Sequence, residues 1–103
     1  MADSNGSGAV GLLAHRDGDA VAVAVRDLAP GEAVVAFLDS EKRDTVSVKQ
    51  EVPLGHKVAL ADVAEGAEVI EYGERIGLAT KPITRGEHVH IHNLKSARWQ
   101  PAS

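Results

Sequence analysis

The chain contains no cysteine, which excludes a disulfide framework, a thiolate nucleophile, an iron–sulfur cluster and a thiolate zinc site. Aromatic residues are almost as scarce: Phe37, Tyr72 and Trp99 are the only ones, too few to form a platform on which nucleic-acid bases could stack. No apolar run approaches the roughly 20 residues that a membrane span needs. The opening MADSNGSG lacks the basic and apolar regions of a secretory signal, so the cytoplasm is the expected location. Eleven basic against fifteen acidic residues give a net charge of -4 with no clustered Lys/Arg stripe, and neither nucleic acid nor membrane is expected as a partner. The phosphate loop GxxxxGK, the GxSxG elbow and His-Glu-x-x-His are all absent, and no Ser or Thr joins a His/Asp set that suggests a triad.

What remains is an ordinary globular composition, 44% hydrophobic and 25% charged over 103 residues, enough for one domain with a modest core. That core must be built from Val, Ala, Leu and Ile, and its β-branched share favours strands. From Val10 the apolar residues come in short bursts closed by Gly, Pro or Asp: AVGLLAH, DAVAVAV, EAVVAFLD, DTVSVKQEV, KVALADV, AEVIEYG, IGLATKPI and EHVHIHNL. This punctuation predicts an all-β fold of short strands joined by Gly turns. The best helical candidate is the brief stretch 57–64. Residues 1–9 read as a disordered tail, 10–96 as the folded domain, and 97–103 as a C-terminal tail suited to docking, with Lys95, Arg98 and Trp99 as its anchors.

One corner recurs. DLAPGEAV (27–34), DVAEGAEV (62–69) and PITRGEHV (82–89) each place an apolar residue inward, turn over two residues, use Gly for a backbone angle that a side chain would resist, and restart a strand at Val.

The five histidines carry the chemistry. In His88-Val89-His90-Ile91-His92-Asn93, an extended strand would put three imidazoles on one side and Val89 and Ile91 in the core. Alternate residues stand roughly 7 Å apart, so one divalent cation could take two of the three, His88 and His90 being the pair assigned, and would need another ligand from elsewhere. Gly55-His56-Lys57 follows Val52-Pro53-Leu54 and presents an imidazole and an ammonium on one turn, a pair suited to holding an acid substrate and moving its proton. His15 ends an apolar segment.

These motifs resemble those of a known family. VPLGHKVALADVAEGAEVIEYGERIGLATKPITRGEHVHIHN (52–93) resembles the amino-terminal SAF-type domain of the altronate/galactarate dehydratase family, and LLAHRDGDAVAVA (12–24) is similar to its opening strand and histidine. The resemblance implies a β-clip fold. It also implies a small subunit, or an N-terminal domain, of a carbon–oxygen lyase that is inactive alone and works with a large catalytic subunit. The reaction implied is loss of water from a sugar acid to give a 2-keto-3-deoxy acid. A branch of the family, the small subunits of sulfolactate sulfo-lyase, ends similarly and gives the alternative reaction, sulfite elimination to pyruvate. A non-catalytic SAF binding module, such as those of pilus and flagellar assembly proteins, is the other alternative. Iron(II), manganese or magnesium is implied, held mostly by the large partner, and a homo-oligomer is compatible. By motif position His15 and His56 are the catalytic candidates, Gly55, Lys57 and Asn93 the substrate-binding ones, and His88 and His90 the metal ligands.

Overall fold

The computed structural model describes residues 9–96, so 97–103 with Arg98 and Trp99 lie outside the described residues. Among the described residues every regular element is a strand: β1 Val10–Ala14, β2 Val21–Ala24, β3 Gly31–Phe37, β4 Arg43–Val48, β5 Lys57–Ala59, β6 Glu68–Glu71, β7 Glu74–Ala79, β8 His88–Val89 and β9 Leu94–Ser96. Six form one sheet in the order β4-β3-β1-β2-β5-β8, and three form another in the order β6-β7-β9. All pairings are antiparallel except β1 with β3. The family expectation of an all-β SAF domain holds.

Two local expectations do not. The stretch 57–64 is no helix: Lys57–Ala59 is β5, and Leu60 and Val63 donate their amides to Ala20 and Ile83 in neighbouring segments at 2.7 Å each. Long-range ladder bonds thus outcompete a helix too short to nucleate. The burst 87–94 is not one strand either. β8 stops at Val89, residues 90–93 turn, and β9 begins at Leu94. Ile91 is therefore 84% exposed instead of buried.

The core has two parts, assigned by strand alternation. Ala22, Ala24 and Val58 join Leu12, Val35, Phe37, Val46 and Val52 on one side, whereas Val21 and Ala59 join Val69, Ile83 and Val89 on the other. Small residues on β2 let both sides pack closely against a thin sheet.

Three of the corners are turns of one type, whereas Gly31 of the 27–34 corner has a φ of 137° and opens β3. At Gly55, Gly66 and Gly86 the φ angles are 87°, 84° and 95°, and in each case the following amide bonds the carbonyl two residues before the glycine: His56 to Pro53, Ala67 to Ala64, Glu87 to Thr84, at 3.0 Å. A positive φ at the third position alone defines a type II turn. The GHK segment is thus a further copy of the corner, Val52-Pro53-Leu54-Gly55. The corners also pair: Leu28 and Val52 exchange both backbone hydrogen bonds, as do Val63 and Ile83. Thr84 and Glu87 brace their turn further, since the Glu87 carboxylate accepts from the Thr84 amide at 2.6 Å and hydroxyl at 2.9 Å. Those bonds hold the carboxyl below its ordinary pKa. Their contribution is present above the ordinary carboxylate pKa and is lost as pH falls through the lowered value.

The corner glycines should not respond alike to substitution. A Cβ at Gly66 meets nothing within 4 Å, whereas one at Gly86 would run into the Ser47 carbonyl. Gly66→Ala is expected to cost about 1–2 kcal/mol for its left-handed angle, and Gly86→Ala about 3 kcal/mol or more because backbone must also move. Urea midpoints of the two variants check the ranking; equal losses would contradict it.

Candidate functional site

Two corners deliver the site. The turn closed by Gly55 releases the chain into β5 with His56 first, and the turn closed by Gly86 releases it into β8 with His88 second. β5 and β8 pair antiparallel with Lys57 opposite Val89 and Val58 opposite His88. Continuing that register sets His56 opposite His90, on the same face as His88. The imidazoles meet: His56 Nδ1 lies 2.9 Å from His88 Nε2. The His56 ring stacks on His90 with centroids 4.2 Å apart, and His88 lies 5.1 Å from His56 and 5.6 Å from His90. One nitrogen from each of the three falls within 4.8 Å of the other two. His92 touches His88 edgewise at 5.3 Å and stands outside this group.

Burial first, and then the neighbouring imidazoles, push the His88 pKa below its ordinary value; His90 is lowered in the same way, by burial, His56, His92 and then Lys57. Both rings thus favour the neutral state, with a lone pair free for a proton or a cation. Alternation sets Lys57 with Ala59 and Val89 on the other face, so it does not stand beside His56 as the sequence suggested. Lys57 and His56 still line one open depression of about 200 Å³ with Gly55, His90, Ile91 and Leu94.

Asn93 has a different place from the one expected. It is 3% exposed, its Oδ1 accepts from the His90 amide at 2.9 Å and its Nδ2 donates to the His88 carbonyl at 2.8 Å. With both ends of the amide engaged by backbone, it positions the two histidines and does not face the depression.

His15 is not brought to this group. β1 and β5 both run antiparallel to β2, so the end of β1 and the start of β5 lie at opposite ends of the sheet, roughly 10 Å apart along the strands and two strands across. His15 instead packs on Tyr72 at 4.9 Å, beside Leu38 and Asp39, and Arg16 lies over the same ring at 4.6 Å. Asp19 organises this second cluster. It is 6% exposed, and its carboxylate accepts from the amides of His15, Arg16 and Tyr72 at 3.1, 3.3 and 2.9 Å. Tyr72 has a φ of 55°, the only positive value outside glycine among the described residues. Sequence reading missed both residues. The available signal was the pair Tyr72-Gly73 between apolar bursts, which marks a tight hairpin.

The fold and the paired corners define the class, an all-β domain of SAF type. The sequence profile of the altronate/galactarate dehydratase SAF domain matches residues 10–97, and the chain belongs to that family. It is 37% identical over 92 residues to (2R)-sulfolactate sulfo-lyase subunit alpha of Chromohalobacter salexigens, covering 87% of this chain and 98% of that one. It is 49% identical over 90 residues to altronate dehydratase of Escherichia coli, covering 81% of this chain but 17% of that one. A second sulfo-lyase subunit alpha, from Paracoccus pantotrophus, is 44% identical over 54 residues, covering 52% of this chain and 81% of that subunit. The chain is therefore a dehydratase- and lyase-associated SAF domain, almost the full length of one kind of relative and a small part of the other.

Asn93→Ala should strip the His90 amide and the His88 carbonyl of their partner and cost about 1–3 kcal/mol. Urea unfolding gives the loss, and broadened His90 ring resonances would report the loosened turn. A variant as stable as the parent, with unchanged ring signals, would remove Asn93 from this role.

Proposed function

We propose that this chain is the small subunit, or N-terminal domain, of a lyase that removes a group from the carbon next to the hydroxyl-bearing one of a 2-hydroxy acid, the activity being completed by a large catalytic subunit. The substrate class favoured is a sugar acid that loses water to give a 2-keto-3-deoxy acid. The observation that carries the reading is the Gly55 turn, which sets His56 and Lys57 at an open depression beside two further imidazoles. At about 200 Å³ that depression is smaller than the ~300–1,000 Å³ of a self-sufficient ligand pocket. Ile91, 84% exposed, lines it, and Leu54, 61% exposed, directly precedes Gly55 in the chain, two apolar side chains suited to a partner surface.

Within the assembled site Lys57 binds the substrate carboxylate as a point charge, and His56 binds a hydroxyl or carries a proton. His15, held with Tyr72 and Arg16 at the other end of the sheet, contacts the partner or a remote part of the substrate. A divalent cation, when bound, stabilises the negative charge that develops beside the carboxylate. Iron(II) suits the imidazole donors present; manganese and magnesium, which prefer oxygen, fit them less well.

Sulfite elimination from sulfolactate is the second reading, favoured by coverage of 98% of the sulfo-lyase subunit alpha. Mixing the chain with its large partner and assaying keto acid formation from sugar acids and from sulfolactate separates the two, and a partner indifferent to the chain in both assays would point to a binding module. In the productive mixture His56→Ala is expected to lower kcat about a hundredfold or more, and Lys57→Ala chiefly to raise KM. Unchanged turnover in both variants would reduce the pair to surface turn residues. Ile91→Glu should weaken copurification with the large subunit, and so should removal of 97–103; Lys95 stays in that truncation because it belongs to β9, paired with β7. If both variants copurify undiminished, the docking face lies elsewhere.

A further inference from the structure

We propose that His56, His88 and His90 form an all-imidazole site by which this chain itself holds one divalent first-row transition cation. The donors come from two separate corners, and nothing in the core requires three imidazoles to converge at the edge of the sheet. Metal–imidazole bonds of about 2.0–2.1 Å put neighbouring donor nitrogens about 2.9–3.4 Å apart. The 2.9 Å between His56 Nδ1 and His88 Nε2 is already one edge of such a site, and the third nitrogen lies within 4.8 Å of both.

Loading requires the rings to turn. His90 is stacked on both of the others, with 19° between its plane and that of His56 and 11° between its plane and that of His88, and a cation must lie in the plane of each ring it binds. His90 therefore turns edge-on. It is free to do so, being exposed on the 90–93 turn, while Asn93 keeps its backbone in place. His56 and His88, half-buried and 28° apart in plane, need a smaller tilt about nitrogens that already meet. Three imidazole nitrogens select borderline cations over magnesium, and three protein ligands leave positions open toward the depression that Lys57 lines. Only the assignment of an open position to the hydroxyl of a 2-hydroxy acid, whose carboxylate Lys57 holds, rests on the lyase reading; the site itself stands on the geometry.

The test uses the full 103-residue chain without an affinity tag and needs no partner. Titration calorimetry with zinc and the visible absorption of added cobalt(II) should both show one equivalent bound, with nitrogen-ligand bands for cobalt, and millimolar magnesium should neither bind nor compete. His56→Ala, His88→Ala and His90→Ala should each weaken zinc binding at least tenfold, and the triple variant should abolish it, whereas His15→Ala should bind as the parent does. His90→Ala, on an exposed turn, keeps the test sound if either of the other variants folds poorly. No stoichiometric binding, binding that survives in the triple variant, or loss on His92→Ala in place of His90→Ala would each overturn the assignment. A chain that binds zinc in this way yet fails to activate a large subunit would retain the cation site and sink the lyase reading; an active pair whose chain binds no cation would do the reverse.

Discussion

A single backbone angle, the positive φ of a glycine at the third position of a type II turn, is the constraint on which the rest of this domain depends. With Phe37 the only aromatic residue in the buried clusters of the described residues and with strands as short as two residues, the fold draws little rigidity from large side chains. It is held instead by repeated corners whose residues exchange backbone hydrogen bonds, Leu28 with Val52 and Val63 with Ile83, so that strand entries are fixed in pairs. Each pair satisfies backbone groups that would otherwise be buried without partners where a sheet changes direction. Small β-branched and alanine side chains then suffice to fill both sides of a sheet whose register is already determined.

The histidine group follows from that constraint. A residue one or two positions after a turn glycine has little freedom, because the turn bond lies just before it and the strand ladder begins just after it. His56 and His88 occupy such positions at two corners whose strands are neighbours, and the β5–β8 register does the rest. Burial and mutual repulsion among the rings favour neutral imidazoles, so the arrangement offers lone pairs and not positive charge, while Lys57 supplies the charge separately from the opposite face. Asn93 completes the group from within: one buried amide closes the turn after β8 and fixes the spacing of His88 and His90.

Much of this was legible before any coordinates. Gly-closed bursts of Val and Ala announced strands, the recurring corner was visible at 27–34, 62–69 and 82–89, and the family motifs named the histidines. The copy at Val52-Pro53-Leu54-Gly55 escaped because Pro and Leu disguise a turn whose other copies carry Ala, Glu, Thr or Arg. Strand alternation failed for Ile91 because it presumes a strand long enough to alternate, and β8 ends after two residues when Asn93 offers the backbone a side-chain partner in place of a ladder. His15 looked adjacent to His56 because motif membership says nothing about which end of a sheet a residue occupies. Strand direction decides that, and strand direction is a property of the whole topology. Asp19 and Tyr72 were silent for a related reason: a carboxylate that gathers three amides from two loops looks in sequence like any acid in a polar turn.

The same domain accounts for nearly the whole of one relative and for 17% of another, and its physics explains why both arrangements work. A fold stabilised by paired corners needs no packing from a second domain, so it can stand free or be fused. Its candidate functional face, by contrast, is an open depression at a sheet edge, lined by His56, Lys57, His90 and the exposed Ile91, groups better placed to touch a ligand than to enclose one. Proton abstraction beside a carboxylate requires a site closed to water, in which electrostatic stabilisation of the developing charge is not screened. One wall of imidazoles and a lysine cannot provide that closure. A second surface laid over the rim can, whether it arrives on the same polypeptide or on another, and it would find three imidazoles and a lysine already spaced by the two corners beneath them.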